Sequence, residues 1–159
     1  MSSTQASAEA ATQSGAGTTP MRFEVTRLPV ADVDRAKAFY ERLGWRLDID
    51  FMPAPGVRAV QFTPPGSPAS IQFGDAPGQQ MTDPLSGMIL VVDDIEAARD
   101  ELIGRGADVG GIWHLVPGEG PHEGIDPERR SYLSRAEFAD PDGNTWQLQE
   151  ITERLPGRV

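Results

Sequence analysis

Apolar and polar positions alternate through residues 23–30, "FEVTRLPV", and predict a strand. The period then changes. Val33, Ala36, Tyr40 and Leu43 fall at i, i+3, i+7 and i+10, one stripe of a helix, with Phe39 beside it. Asp32 stands where the helix needs an N-cap, and Gly44 stands where it needs a left-handed stop. Three strands are predicted next, at 45–51, 57–63 and 69–73, with "MPAPG" and "PPGSP" as the turns. The order then recurs. A strand at 87–92 leads to Asp94, which caps a second helix with the stripe Ile95, Ala98 and Leu102, and Gly106 ends it. Strands follow at about 108–114, 132–139 and 145–151. The predicted order is βαβββ twice.

The repeat extends to residue identity. At an offset of 62, Leu28 meets Leu90, Val30 meets Val92, Asp32 meets Asp94, Ala36 meets Ala98 and Gly44 meets Gly106. Further on, Phe62 meets Phe138 at 76, and Ile71-Gln72-Phe73 meets Trp146-Gln147-Leu148 at 75. The growing offset places an insertion in the second half. It falls at 116–131, "VPGEGPHEGIDPERRS", a long loop that reads as a lid or binding loop on one view and as disorder on the other. Each strand set has an apolar face for a helix, which leaves two inner faces free to curl into a cleft or half-barrel. The fold class is α+β. One domain spans 21–153, with module one at 21–75 and module two at 86–153. Residues 1–20 lack the apolar content to offset ordering entropy and read as a disordered tail, and 154–159 form a C-terminal tail.

Charge and composition narrow the function classes. The net charge is −10, with thirteen Arg, a single Lys and no basic stripe, so nucleic acid is excluded as a partner. No run of 18 apolar residues predicts a membrane span. The N-terminus lacks the features of a secretory signal, which implies a cytoplasmic protein. With zero cysteines there is no disulfide, thiol nucleophile or zinc–cysteine site.

"D-x-x-R-A-x-x-F-Y-x-x-L-G" at 32–44 and "F-x-D-P-D-G-N" at 138–144 resemble the vicinal oxygen chelate superfamily, over about residues 23–151. That superfamily includes glyoxalase I, bleomycin-resistance proteins, fosfomycin-resistance enzymes and extradiol dioxygenases. The resemblance implies the glyoxalase/bleomycin resistance/dihydroxybiphenyl dioxygenase-like fold, a homodimer, and a divalent metal held on inner-face positions of the first and last strands of each module. Carried across, those positions are Val25, Gln72 or Ser70, Gly87 and Gln147. Val and Gly offer no ligand atom, and the others are neutral, so no metal or other cofactor is expected. A site built on His114 and His122 with Glu119 or Glu123 is the alternative.

Strand parity supplies the remaining lining: Arg27, Gln61, Gln72, Arg135, Glu137 and Gln147. His114 and Tyr132 join them as ligand contacts, with Trp113 as an aromatic surface. Such polar residues also pair with one another merely to satisfy burial. The expected function is metal-independent binding of a small molecule in the inter-module cleft. The alternatives are an isomerase, lyase or dioxygenase-like enzyme with Glu137 as base or an atypical metal, and an interaction module whose cleft is filled by side chains.

Overall fold

The structure, a computed structural model, describes residues 15, 17–75 and 83–158. The predicted N-terminal tail lies largely outside the described residues. Module one contains β1 (Val25–Arg27), α1 (Val33–Arg42), β2 (Arg46–Ala54), β3 (Val57–Thr63) and β4 (Ser70–Asp75). Module two contains β5 (Met88–Val92), α2 (Ile95–Gly104), β6 (Trp113–Val116), β7 (Gly120–Glu123), β8 (Ser134–Ala139) and β9 (Thr145–Glu150). The sheets run β1-β4-β3-β2 and β5-β9-β8-β6-β7. In each, the first strand pairs parallel with the last, and the other pairs are antiparallel.

Both helices start as the sequence predicts. Asp32 Oδ1 accepts from Arg35 N at 3.0 Å, and Asp94 Oδ1 accepts from Ala97 N at 3.1 Å. Gly44 follows α1 at φ +82°, a backbone state that costs an L side chain and suits glycine. Asp32→Ala is expected to cost about 1 kcal/mol, read as a lower urea midpoint at unchanged m.

Module two departs from the predicted order in one place. The stretch 116–131 is ordered. Pro117-Gly118-Glu119 turns β6 into an added strand, β7, with Glu119 N donating to Val116 O at 2.9 Å. Gly118 and Gly120 supply the positive φ the turn requires. The chain beyond β7 is pinned by Asp126, whose carboxylate accepts from Arg130 N, Nε and Nη2 at 2.8, 3.0 and 2.9 Å. β6 begins at Trp113 rather than near 108, because Gly110-Gly111 offers no side chain to pack.

One core joins the modules. Tyr40, on α1, contacts Phe62 and Phe73 of its own sheet and Trp146 of the other. Trp45 meets Trp146 edge-on at 5.1 Å. Trp146 lies on the α2 side of its sheet, with Leu148, Ala136 and Phe138. Both helix-bearing faces therefore share a single core, and both open faces lie on the opposite side. The sheets are two modules, not a closed barrel. No described helix is long and apolar enough to cross a membrane.

The "DPDGN" turn fastens this arrangement. Asn144 Nδ2 donates to Pro29 O at 2.9 Å, and Asp142 Oδ1 accepts from Ala31 N at 2.8 Å and from Arg35 Nη2 at 2.9 Å. The turn is thus a staple from module two to the β1–α1 connection of module one.

Candidate functional site

Side chains alternate across each strand, so the register fixes what the open faces carry. On module two one row runs Val91, Gln149, Arg135, Trp113. The adjacent row runs Ile89, Gln147, Glu137. On module one the matching row is Arg27, Gln72, Gln61, Ile49. Gln72 and Gln147 occupy equivalent places, as do Gln61 and Glu137. Arg27, Gln61, Gln72, Arg135, Glu137 and Gln147 all lie on the open faces.

Three of these side chains interlock with Trp113. Glu137 Oε2 accepts from Trp113 Nε1 at 3.0 Å, and its Oε1 accepts from Gln147 Nε2 at 2.8 Å. Gln147 Oε1 accepts a long bond from Arg135 Nη1 at 3.5 Å. Arg135 stands over the Trp113 ring, its guanidinium carbon 5.7 Å from the centroid. The corresponding pair on module one is weaker, with Gln72 Nε2 3.4 Å from Gln61 Oε1. The same geometry limits Glu137 as a base: both oxygens already accept a hydrogen bond, and a substrate proton must be reached past Trp113 and Gln147.

Two predicted contacts sit elsewhere. His114 does not lie on the open face. It pairs with Ser134, one residue out of phase with Trp113 and Arg135, so it points to the helix side, where it is buried. Its Nδ1 lies 2.7 Å from Gly124 O, and its ring is 5.9 Å from that of His122. A strand that ends at His114 leaves the direction of that side chain undecided by parity; β6 instead runs on to Val116, and this fixes it. Tyr132 precedes β8 at φ 75°, and its hydroxyl accepts from Leu155 N at 3.0 Å. It enters the site through its backbone: Tyr132 O accepts from Gln149 Nε2 at 2.9 Å and Arg135 Nη2 at 3.3 Å.

The structure adds residues that the sequence reading missed. Asp48 occupies a β2 bulge between Leu47 and Ile49 and reaches the Thr63 hydroxyl, which is 2.6 Å from Ser70 Oγ. Burial pushes the Asp48 carboxyl up, but Thr63 and Arg46 outweigh it and hold it below the usual range. No period in the sequence marks a bulge. Ile49 and Phe51 on β2 and Ile89 and Val91 on β5 are exposed apolar residues on the open faces. The alternation in "DIDF" was the available signal for β2, whereas "ILVV" is apolar throughout and marks no exposed face. Where the modules meet, Thr26, Ser70, Ile71, Met88, Ile89 and Trp146 help to line a cavity of about 370 Å³.

The residues at the positions where relatives place a metal do not fit a divalent ion. Val25 pairs with Ser70, one register step from Arg27 and Gln72, and Gly87 directly precedes β5. This leaves two neutral amides, one of them engaged by Glu137. Among the described residues, no three or more His, Asp or Glu side chains group to hold a metal ion. His122 Nε2 is 3.2 Å from Glu119 Oε2, an exposed pair.

Residues 22–148 match the family described as the Glyoxalase/Bleomycin resistance protein/Dioxygenase superfamily. Among solved structures, the chain is similar to TnmS3, an antibiotic binding protein from Streptomyces sp. CB03234. Identity is 28%, TM-score 0.62, and the match covers 86% of this chain and 100% of that one. A glyoxalase/bleomycin resistance protein from the same Streptomyces is 29% identical, with TM-score 0.58, covering 80% and 99%. A lactoylglutathione lyase from Agrobacterium tumefaciens, 17% identical with TM-score 0.56 over 84% and 96%, shares the fold. No curated protein matches the chain.

Proposed function

Because this chain belongs to the Glyoxalase/Bleomycin resistance protein/Dioxygenase superfamily, we propose that it is a metal-independent small-molecule-binding protein of the antibiotic-sequestering kind. The ligand lies on the open face of module two. The observation that carries this reading is the Trp113–Glu137–Gln147–Arg135 network, whose Gln147 stands at a position where the family resemblance implies a metal ligand. Such a wall offers an aromatic surface, amide donors and acceptors and a guanidinium, which suit recognition of a flat polar molecule. The similarity to an antibiotic binding protein from Streptomyces supports the ligand class. A homodimer, in which a second copy covers Ile49 and Phe51, belongs to the same proposal.

The test combines metal analysis with ligand screening. Protein purified without chelator is expected to carry well under one equivalent of divalent ion, with its thermal midpoint unchanged by EDTA. A full, chelator-removable equivalent overturns the metal-free reading. A bound antibiotic at ~100 times its Kd stabilises by about 2.7 kcal/mol. Trp113→Ala should weaken that binding by about tenfold or more, as loss of an aromatic contact does. Unchanged affinity in Trp113→Ala removes module two's face as the site.

A further inference from the structure

The charge balance of the network is uneven at Arg135. Glu137 lies two residues away on the same face and is its natural counter-ion. Yet both Glu137 oxygens are taken by neutral donors, Trp113 and Gln147. Among the described residues Arg135 forms no ion pair, although the chain is strongly acidic. Its contacts are two long bonds to neutral acceptors, at 3.5 and 3.3 Å, and its buried Nε has no partner. Arg129 and Arg130, both in the preceding connection, bind carboxylates at 2.7 to 3.0 Å. A half-buried guanidinium whose Nε has no protein partner, and whose hydrogen bonds are long and made to neutral acceptors, is an incomplete arrangement. The Arg135 guanidinium carbon also stands over the Trp113 ring, and Val91, in the same register row, is exposed and apolar.

We propose that the ligand of this face is a planar aromatic anion, whose carboxylate or phenolate oxygen completes Arg135 while its ring lies along the Trp113–Val91 row. This rests on the binding reading above and names the ligand class. Gln149, between Arg135 and Val91, is held by Tyr132 O and keeps that row clear of a competing carboxylate. The module-one row, Arg27, Gln72, Gln61 and Ile49, contains no tryptophan, so the anion site is assigned to module two.

The experiment titrates the full-length protein with 2-naphthoate and with 2-naphthamide, which share ring and shape and differ in charge, by isothermal calorimetry. Charge-assisted bonds exceed neutral ones enough that naphthoate is expected to bind about tenfold or more tighter. Arg135→Gln should bring the two affinities within about twofold, and raising salt in the wild type should narrow the gap in the same direction. Arg135→Lys, which keeps the charge but not the planar fork, should retain part of the preference, and it replaces Arg135→Gln if that variant does not fold. Equal affinities in the wild type overturn the anion proposal and leave the binding reading standing. A preference that survives Arg135→Gln places the anion elsewhere and also overturns it. If neither compound binds at millimolar concentration, the inference and the binding reading fall together.

Discussion

Asp140→Ala is expected to destabilise the fold by about 3–5 kcal/mol, more than any single change on the open faces. The Asp140 carboxylate is buried and accepts four hydrogen bonds. Oδ2 takes the Tyr40 hydroxyl and Asn144 Nδ2, each at 2.8 Å. Oδ1 takes the backbone N–H groups of Asp142 and Asn144, each at 2.9 Å. Tyr40 in turn accepts from Trp146 Nε1 at 3.1 Å. Burial first, then the Asp140 charge, pushes the Tyr40 phenol well above its ordinary range, so it stays a donor at every working pH. Truncating Asp140 strands several buried donors at once, at the place where the modules are joined. Tyr40→Phe removes one donor from the same carboxylate and should cost about 1–2 kcal/mol. Urea unfolding of the two variants and their double mutant checks this: the double should cost less than the sum, because the sites share a bond. An Asp140→Ala loss below about 1 kcal/mol would mean that the turn is a surface feature and not a staple.

Much of this was legible in the sequence, for definite reasons. Both helices were marked by a cap, a stripe and a stop: Asp32, Val33 to Leu43 and Gly44, then Asp94, Ile95 to Leu102 and Gly106. The duplication showed as an offset of 62 that grows to 75 past the insertion, and the register keeps it, since Gln72 and Gln147 fall on equivalent strands and faces. Parity alone put Gln61, Gln72, Arg135, Glu137 and Gln147 on one side, because each sits inside a strand with clear apolar neighbours. Where the local signal is poor, the reading failed. His114 stands at the end of the strand the sequence predicts, where parity alone does not fix its direction, but β6 continues to Val116. β7 was invisible because "GPHE" has no alternation, and it forms only because β6 offers an edge. The partners of Glu137 could not be read either, since hydrogen bonds across strands depend on register to within one residue.

Acid should unfold the protein between about pH 4 and pH 2, and Glu150 should carry a large part of that dependence. Glu150 closes β9 almost fully buried, at 1% exposure. Its carboxylate binds Arg129 Nε and Nη2 at 2.9 and 2.7 Å and accepts from Ile95 N at 2.9 Å, the first residue of α2. It thereby ties the 124–133 connection, the last strand and the helix start together. Arg129 lowers its pKa most; burial opposes this, and the Ile95 N–H reinforces Arg129. Arg130 likewise holds Asp126 down to about 2. The sign follows from linkage. The folded state holds these carboxyls below their unfolded values of about 4, so in that window the unfolded chain binds more protons. The stabilisation is complete above about pH 5 and is lost as pH falls toward the folded values. Glu150→Ala should cost about 2–4 kcal/mol at pH 7, since it leaves the buried Ile95 N–H without a partner and Arg129 with only the exposed Asp94 and Glu96. Glu150→Gln should cost less at pH 7 and should lose stability less steeply than the wild type between pH 5 and pH 2. Thermal midpoints across that range decide it. If the two slopes are equal, Glu150 takes up its proton at the same pH folded and unfolded, and the acid transition belongs to Asp126 and the remaining paired carboxylates.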